Sequence, residues 1–128
     1  DILVLGTPVW MGQPSSVAKR VLERLDALLD ETDDAGRIVS YDRVAVVAVV
    51  GNEDGAHHIS AELFQALNDV GFTIPAGGVT YWVGEAMGST DYKDLDPKPE
   101  KVLSTTATVA RNAAHLAGLL ADRGYPPG

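Results

Sequence analysis

The sequence predicts an α/β domain built on a parallel sheet, and three observations carry that prediction. Apolar strand-like runs alternate with amphipathic helical segments in the order β-α-β-α-β-α, which calls for parallel strands joined by right-handed helical crossovers. Val44–Val50 is a run of seven apolar residues without alternation, the pattern of a strand covered on both faces. The first two strands each run into a glycine-containing loop that opens a helix, and open α/β sheets bind ligands outside the carboxyl ends of their strands. With 128 residues, the chain suits one domain and one core over residues 1–128.

Ile2–Leu5 reads as a short buried strand, followed by a loop from Gly6 to Gly12. Ser15–Leu29 reads as a helix with Val17, Val21, Leu25 and Leu28 on one face. Ser15 or Ser16 can cap it, with Pro14 just before. Thr32–Asp42 is a polar, acidic connector, and Val44–Val50 is the second strand. Gly51–Gly55 turns the chain into a helix from about Ala56 to Val70, whose apolar face is Ile59, Leu63, Leu67 and Val70 and which Gly71 stops. Phe72–Val83 reads as the third strand region, loosened at its start by Pro75 and Gly77-Gly78. Gly84–Pro99 is irregular. The last helix runs from about Glu100 to Asp122, with Val102, Val109, Ala113, Leu116 and Leu120 facing the sheet. The two glycine-bearing loops after the first and second strands are expected side by side at one end of the sheet.

Composition narrows the function. Net charge is −8, from 18 acidic and 10 basic residues, which argues against a nucleic-acid backbone as partner. No run approaches the roughly 18 apolar residues of a membrane-crossing helix, and no signal-peptide pattern opens the chain. There is no cysteine, so disulfides, thiolate chemistry and iron–sulfur ligation are excluded, and a cytoplasmic location is favoured. No G-x-S-x-G elbow, G-x-x-x-x-G-K-[ST] loop or G-x-G-x-x-G fingerprint is present.

Gly6–Ser16 (GTPVWMGQPSS), Val50–His58 (VGNEDGAHH) and Tyr81–Gly88 (YWVGEAMG) resemble, in order and spacing, the loops after the third, fourth and fifth strands of the flavodoxin-like NAD(P)H-dependent FMN reductases, including the tryptophan-repressor-binding-protein type of quinone reductase. The resemblance implies a flavodoxin-like three-layer sandwich with a parallel sheet of which the last three βα units are visible. It implies FMN as cofactor, NAD(P)H as transient co-substrate, and hydride transfer through the flavin to a quinone or other small acceptor. The family begins with a strand, a Ser/Thr/Asn-rich phosphate loop and a second strand–helix unit that have no counterpart here. That pattern implies about 60 preceding residues, with the phosphate half of the flavin pocket outside these 128.

A flavin ring needs an apolar wall and hydrogen-bonding groups along its edge. Trp10 can supply the wall, and Thr7, Pro8, Val9, Met11 and Gly12 the surrounding loop and its amides. Gly51, Asn52, Glu53, Asp54 and Gly55 suit the polar pyrimidine edge of the ring; the alternative is a plain βα turn with Asp54 as helix cap. Trp82 or Tyr81 can stack over the ring, or both are core or interface aromatics. His57-His58 invites a metal reading, but adjacent residues at a helix start point in different directions and no third ligand lies near, so no metal site is expected. His58 is the candidate catalytic side chain, with a surface or capping role as its alternative; His115 is read as structural. Gly84–Pro99, with Met87, Tyr92 and Leu95, reads as an interface arm or lid, and a homo-oligomer is expected. The alternative in another class is a flavodoxin-type electron carrier or a non-enzymatic interaction module. A phospho-receiver domain is disfavoured, because no acidic cluster lies at the first strand end.

Overall fold

A computed structural model describes residues 1–127. Three parallel strands carry the fold: β1 (Ile2–Trp10), β3 (Val44–Gly51) and β4 (Val79–Val83). A two-residue strand β2 (Gln13–Pro14) turns back on the end of β1, giving the sheet order β2-β1-β3-β4. Helices α1 (Ser16–Leu25) and α2 (Ala56–Asp69) cover one face, and α3 (Glu100–Asp122) covers the other. The three layers and parallel sheet expected of the last βα units of a flavodoxin-like sandwich are therefore present.

The core divides by face. On the α1/α2 side Leu5, Val9, Val47 and Val49 of the strands pack on Leu22, Ile59, Leu63 and Leu67. On the other side Val44 and Val46 pack on Val109 and Ala113, with Leu116 and Leu120 half-buried beside them. The α2 and α3 faces read from the apolar spacing are the buried faces observed. On α1 the buried pair is Ala18 and Leu22, one position on from Val17 and Val21, which are exposed. Both pairs share i, i+4 spacing, so periodicity alone does not separate them. Ser15 caps α1, its Oγ accepting from the Ala18 amide at 3.1 Å. The α-helix ends at Leu25 rather than Leu29, and Asp26–Asp30 continues as a 3₁₀ turn.

Two strand boundaries differ from expectation, and both bear on the site. β1 does not stop at Leu5 but runs through Pro8 to Trp10. Its outer edge has no partner along Ile2–Pro8 among the described residues, so Pro8 removes no ladder donor that an outer neighbour would need. The segment read as a loop is thus strand plus a two-residue hairpin turn at Met11-Gly12. Both turn residues have positive φ (53° and 73°), the requirement of a type I′ turn. In the third strand region only Val79–Val83 is strand; Thr73 makes a lone bridge to Val44, and Pro75 and Gly77-Gly78 separate the two.

β1 alternates strictly. Leu5, Thr7 and Val9 are buried, whereas Ile2, Val4, Pro8 and Trp10 are exposed. β3 is buried on both faces over Val44–Val47 and at Val49. The face of β1 on the α3 side therefore presents apolar side chains, Ile2 and Val4, that α3 covers only in part.

Candidate functional site

Register across the carboxyl ends of the strands places the site. Pro8 pairs with Val50, and Val50 with Trp82. Neighbours in register point to the same side of a sheet, so these three form a row on the α3 side, and Trp10, two residues beyond Pro8, extends it. Val50 is 43% exposed and Trp10 60%. The row is a flat, open, apolar floor. Trp82 is held from behind by Tyr92, their ring centroids 5.5 Å apart.

Thr7, Val49 and Tyr81 form the matching row on the α2 side. Thr7 and Val9 point into that buried side and offer a ligand only their backbone. The Thr7 hydroxyl is occupied: it accepts from the Ser15 amide at 3.0 Å and donates to the Pro8 carbonyl at 2.9 Å. It ties the strand end to the start of α1. Tyr81 and Trp82 therefore serve opposite faces, and a single planar ligand does not meet both on one side of the sheet.

The two expected loops do lie side by side. The Met11 amide donates to Glu53 Oε1 at 3.0 Å. Gly55, at φ 140°, faces Gly12 so closely that a Cβ there would lie 2.8 Å from the Gly12 Cα. Both conditions require glycine at 55. His58 Nε2 lies 3.2 Å from Gln13 Oε1 and 3.7 Å from Glu62 Oε2, so His58 braces the hairpin against α2. Asp54 does not cap the helix; it accepts from the adjacent Gly55 amide at 2.7 Å, and α2 starts with no side-chain cap. Gly51 serves packing, because a Cβ there would lie 2.7 Å from Val9 Cβ. Asn52 reaches the other way, donating from Nδ2 to Asp91 at 3.3 Å.

Met11, Gly12, Glu53, Asp54 and Gly55 thus form one cluster, with Pro8, Trp10 and Trp82 on the floor beside it. The sequence reading missed Val50 as part of the floor, Gln13 as a brace, and the contact of His57 with Tyr81. A period-two alternation applied through Pro8 and across Tyr81-Trp82 was the available signal. No group of three or more His, Cys, Asp or Glu side chains is placed to hold a metal among the described residues. No described helix is long and apolar enough to cross a membrane.

The carboxyl-end row fits a flavin ring in kind: an apolar floor with the Gly51–Gly55 turn beside it, where the side chains of Asn52, Glu53 and Asp54 are held by Asp91, the Met11 amide and the Gly55 amide. Comparison with known proteins gives the family. A family model described as NADPH-dependent FMN reductase matches residues 1–88. The 8-demethyl-8-aminoriboflavin-5'-phosphate synthase of Streptomyces davaonensis is 30% identical over 128 residues, covering 98% of this chain and 49% of the relative. A protein of Mycobacterium bovis named divalent metal cation transporter MntH is 35% identical over 122 residues, covering 93% of this chain but 18% of that protein. The crystal structure of RosB with bound intermediate 8-demethyl-8-formylriboflavin-5'-phosphate superimposes with a TM-score of 0.91 at 29% identity, over 98% of this chain and 50% of that one. The chain spans about half the length of the synthase and under a fifth of the transporter-named protein. It belongs to the NADPH-dependent FMN reductase family.

Proposed function

From that membership we propose that the chain forms the ring-binding part of an FMN-dependent oxidoreductase, in which NAD(P)H reduces the flavin and the flavin reduces a quinone or another small acceptor. The observation that carries this reading is the Pro8–Val50–Trp82 row extended by Trp10, an open apolar floor at the carboxyl ends of parallel strands. Bound FMN supplies the hydride chemistry; the protein positions and tunes it. Trp10 and Trp82, on one floor, support one face of the ring system, and Glu53 fixes the hairpin tip through the Met11 amide. The Asn52–Asp54 turn is assigned to the polar ring edge, for which Asn52 would have to leave Asp91 and Asp54 the Gly55 amide, and Thr7, Val9, Gly12, Gly51 and Gly55 shape the backbone around it.

The test is FMN titration of the purified protein, followed by absorbance and flavin fluorescence. Saturable uptake with quenching supports the reading, and a colourless protein that takes up no FMN ends it. NAD(P)H consumption with a quinone then separates a reductase from an electron carrier. Similarity to a riboflavin-phosphate-modifying synthase favours a second reading, in which the flavin phosphate is substrate rather than cofactor. Recovery of chemically unchanged FMN after turnover rules that out.

The unpaired outer edge of β1 and its partly covered apolar face support a domain that continues beyond this sheet edge, with a further strand paired to β1 and a helix completing the cover of Ile2 and Val4. Slow amide exchange at Val4 in the intact protein is the expected result. A homo-oligomer is also expected, with the Gly84–Pro99 stretch, where Met87 is fully exposed, at the contact. A strict monomer in sedimentation removes that expectation.

A further inference from the structure

Trp82 ends the floor row, yet close packing does not hold its side chain on every side. A cleft of about 390 Å³ opens beside it, lined also by Leu95 and Pro99. A side chain bordering open space keeps one rotamer only where a neighbour holds it. That neighbour is Tyr92, whose ring lies 5.5 Å from the Trp82 ring, centroid to centroid, at an interplanar angle of 49°. Tyr92 opens a one-turn 3₁₀ segment, Tyr92–Asp94, and just before it Asp91 accepts from Asn52 Nδ2. The far end of this turn is gathered by Lys98, which is half-buried. Its Nζ donates to the carbonyls of Tyr92 at 2.9 Å, Lys93 at 2.8 Å and Leu95 at 2.7 Å, and lies 5.2 Å from the centroid of the Tyr92 ring. An ammonium has three donors, and all three are used. The carbonyls at the end of a helical turn lack partners within it, and a lysine placed there supplies both the hydrogen bonds and the opposite charge.

We propose that Lys98 is a positioning residue for the flavin floor: its ammonium gathers the 92–95 turn, the turn presents the Tyr92 ring, and that ring fixes the Trp82 indole where it supports the flavin. The inference rests on the reductase reading above, in which Trp82 lies under one face of the ring. Lys98 acts only through Tyr92 and takes no part in the hydride step. Its three carbonyl partners all lie within six residues of it, so removing the ammonium loosens this turn and leaves the sheet intact. The bond to the Leu95 carbonyl also holds one wall of the cleft. A loosened turn therefore withdraws the support of the indole and widens the space into which it can swing.

The experiment uses the full-length protein and begins without flavin. Lys98→Met keeps an unbranched apolar stem and removes the charge and the three donors. The indole N–H signal of Trp82 in NMR, identified by its loss in Trp82→Phe, should shift and broaden in Lys98→Met, while the Trp10 signal stays in place. FMN affinity should then fall roughly fivefold, the scale of one displaced aromatic support. The loss should run through Trp82: in a Trp82→Ala background, Lys98→Met costs no further affinity, so the double-mutant cycle shows full coupling. An unmoved Trp82 signal, equal movement of the Trp10 signal, unchanged FMN affinity, or the same loss in the Trp82→Ala background overturns the proposal. Lys98→Gln, with two donors and no charge, takes over under the same criteria if Lys98→Met does not fold. If the wild type takes up no FMN, the reductase reading fails on its own, and the indole signals read without flavin then decide whether Lys98 positions Trp82.

Discussion

The two ends of the sheet use polar residues in opposite ways. At the amino end they satisfy one another. Arg37 donates to Asp33 at 2.8 and 3.0 Å, to Asp42 at 2.7 Å and to the Tyr125 carbonyl at 2.8 Å. Asp42 in turn accepts from the Tyr125 amide, and the Tyr125 hydroxyl lies 2.8 Å from the Thr73 hydroxyl. Ser40 is fully buried and donates to the Val70 carbonyl. The segment after α3 is clasped to the connector before β3. At the carboxyl end the hydrogen bonds are spent on loop shape, while Trp10, Met11, Val50 and both imidazoles stay solvent-exposed. A closed polar network fixes a structure; an end with exposed apolar surface beside polar loops is where a ligand can be held.

Matched glycine substitutions give the largest effects. Gly55→Ala and Gly71→Ala each force a residue into positive φ (140° and 99°) and into neighbouring atoms, the Gly12 backbone in one case and Ser40 and Tyr41 in the other. Each should cost about 2–4 kcal/mol in urea denaturation. FMN affinity, measured in conditions where both variants are folded, should fall only for Gly55→Ala. Equal loss for both erases the distinction between the two ends. Next comes Trp10→Ala. The side chain is 60% exposed, so stability should change by no more than about 0.5 kcal/mol. Flavin binding should weaken by roughly tenfold as an aromatic wall is lost.

The clasp gives the third effect. The Arg37 backbone amide and then its guanidinium, with the Ala35 amide, hold the Asp33 carboxyl below the usual 3.8, and Asp33 in turn raises Arg37. With the folded value below the unfolded one, this contribution to stability is present at neutral pH. It shrinks as the pH drops below the ordinary carboxylate range and is gone once the pH is under the folded value. Arg37→Met should therefore lower the urea midpoint more at pH 7 than at pH 3, with FMN affinity unchanged. The smallest change expected is Glu53→Gln, which keeps an acceptor for the Met11 amide and should leave stability within about 0.5 kcal/mol. A larger drop would mean that the charge, rather than the hydrogen bond, sets the hairpin.

Most of the architecture was legible because burial imposes a period. The all-apolar run of β3 and the i, i+4 faces of α2 and α3 are direct consequences of what those elements cover. β1 was cut short because Gly6 and Pro8 read as loop residues; only the unpaired outer edge makes a proline acceptable there, and an edge is a property of the sheet, not of the strand. The site was legible as two glycine-bearing loops at one end. Its division into two faces was not, since that depends on the register joining Pro8 to Val50 and Val50 to Trp82. The His57–Tyr81 pair joins residues 24 positions apart, and no local motif marks it.

The backbone contact between Gly12 and Gly55 has a practical consequence for redesign. Residues 10–13 and 51–55 are fitted to each other with no side chain between them at that point. Exchanging either loop alone with a homologue brings a mismatched partner into a gap with no room to adjust. The transferable module for altering ligand preference is the pair of loops together, carried with the Gln13–His58 brace that sets their spacing.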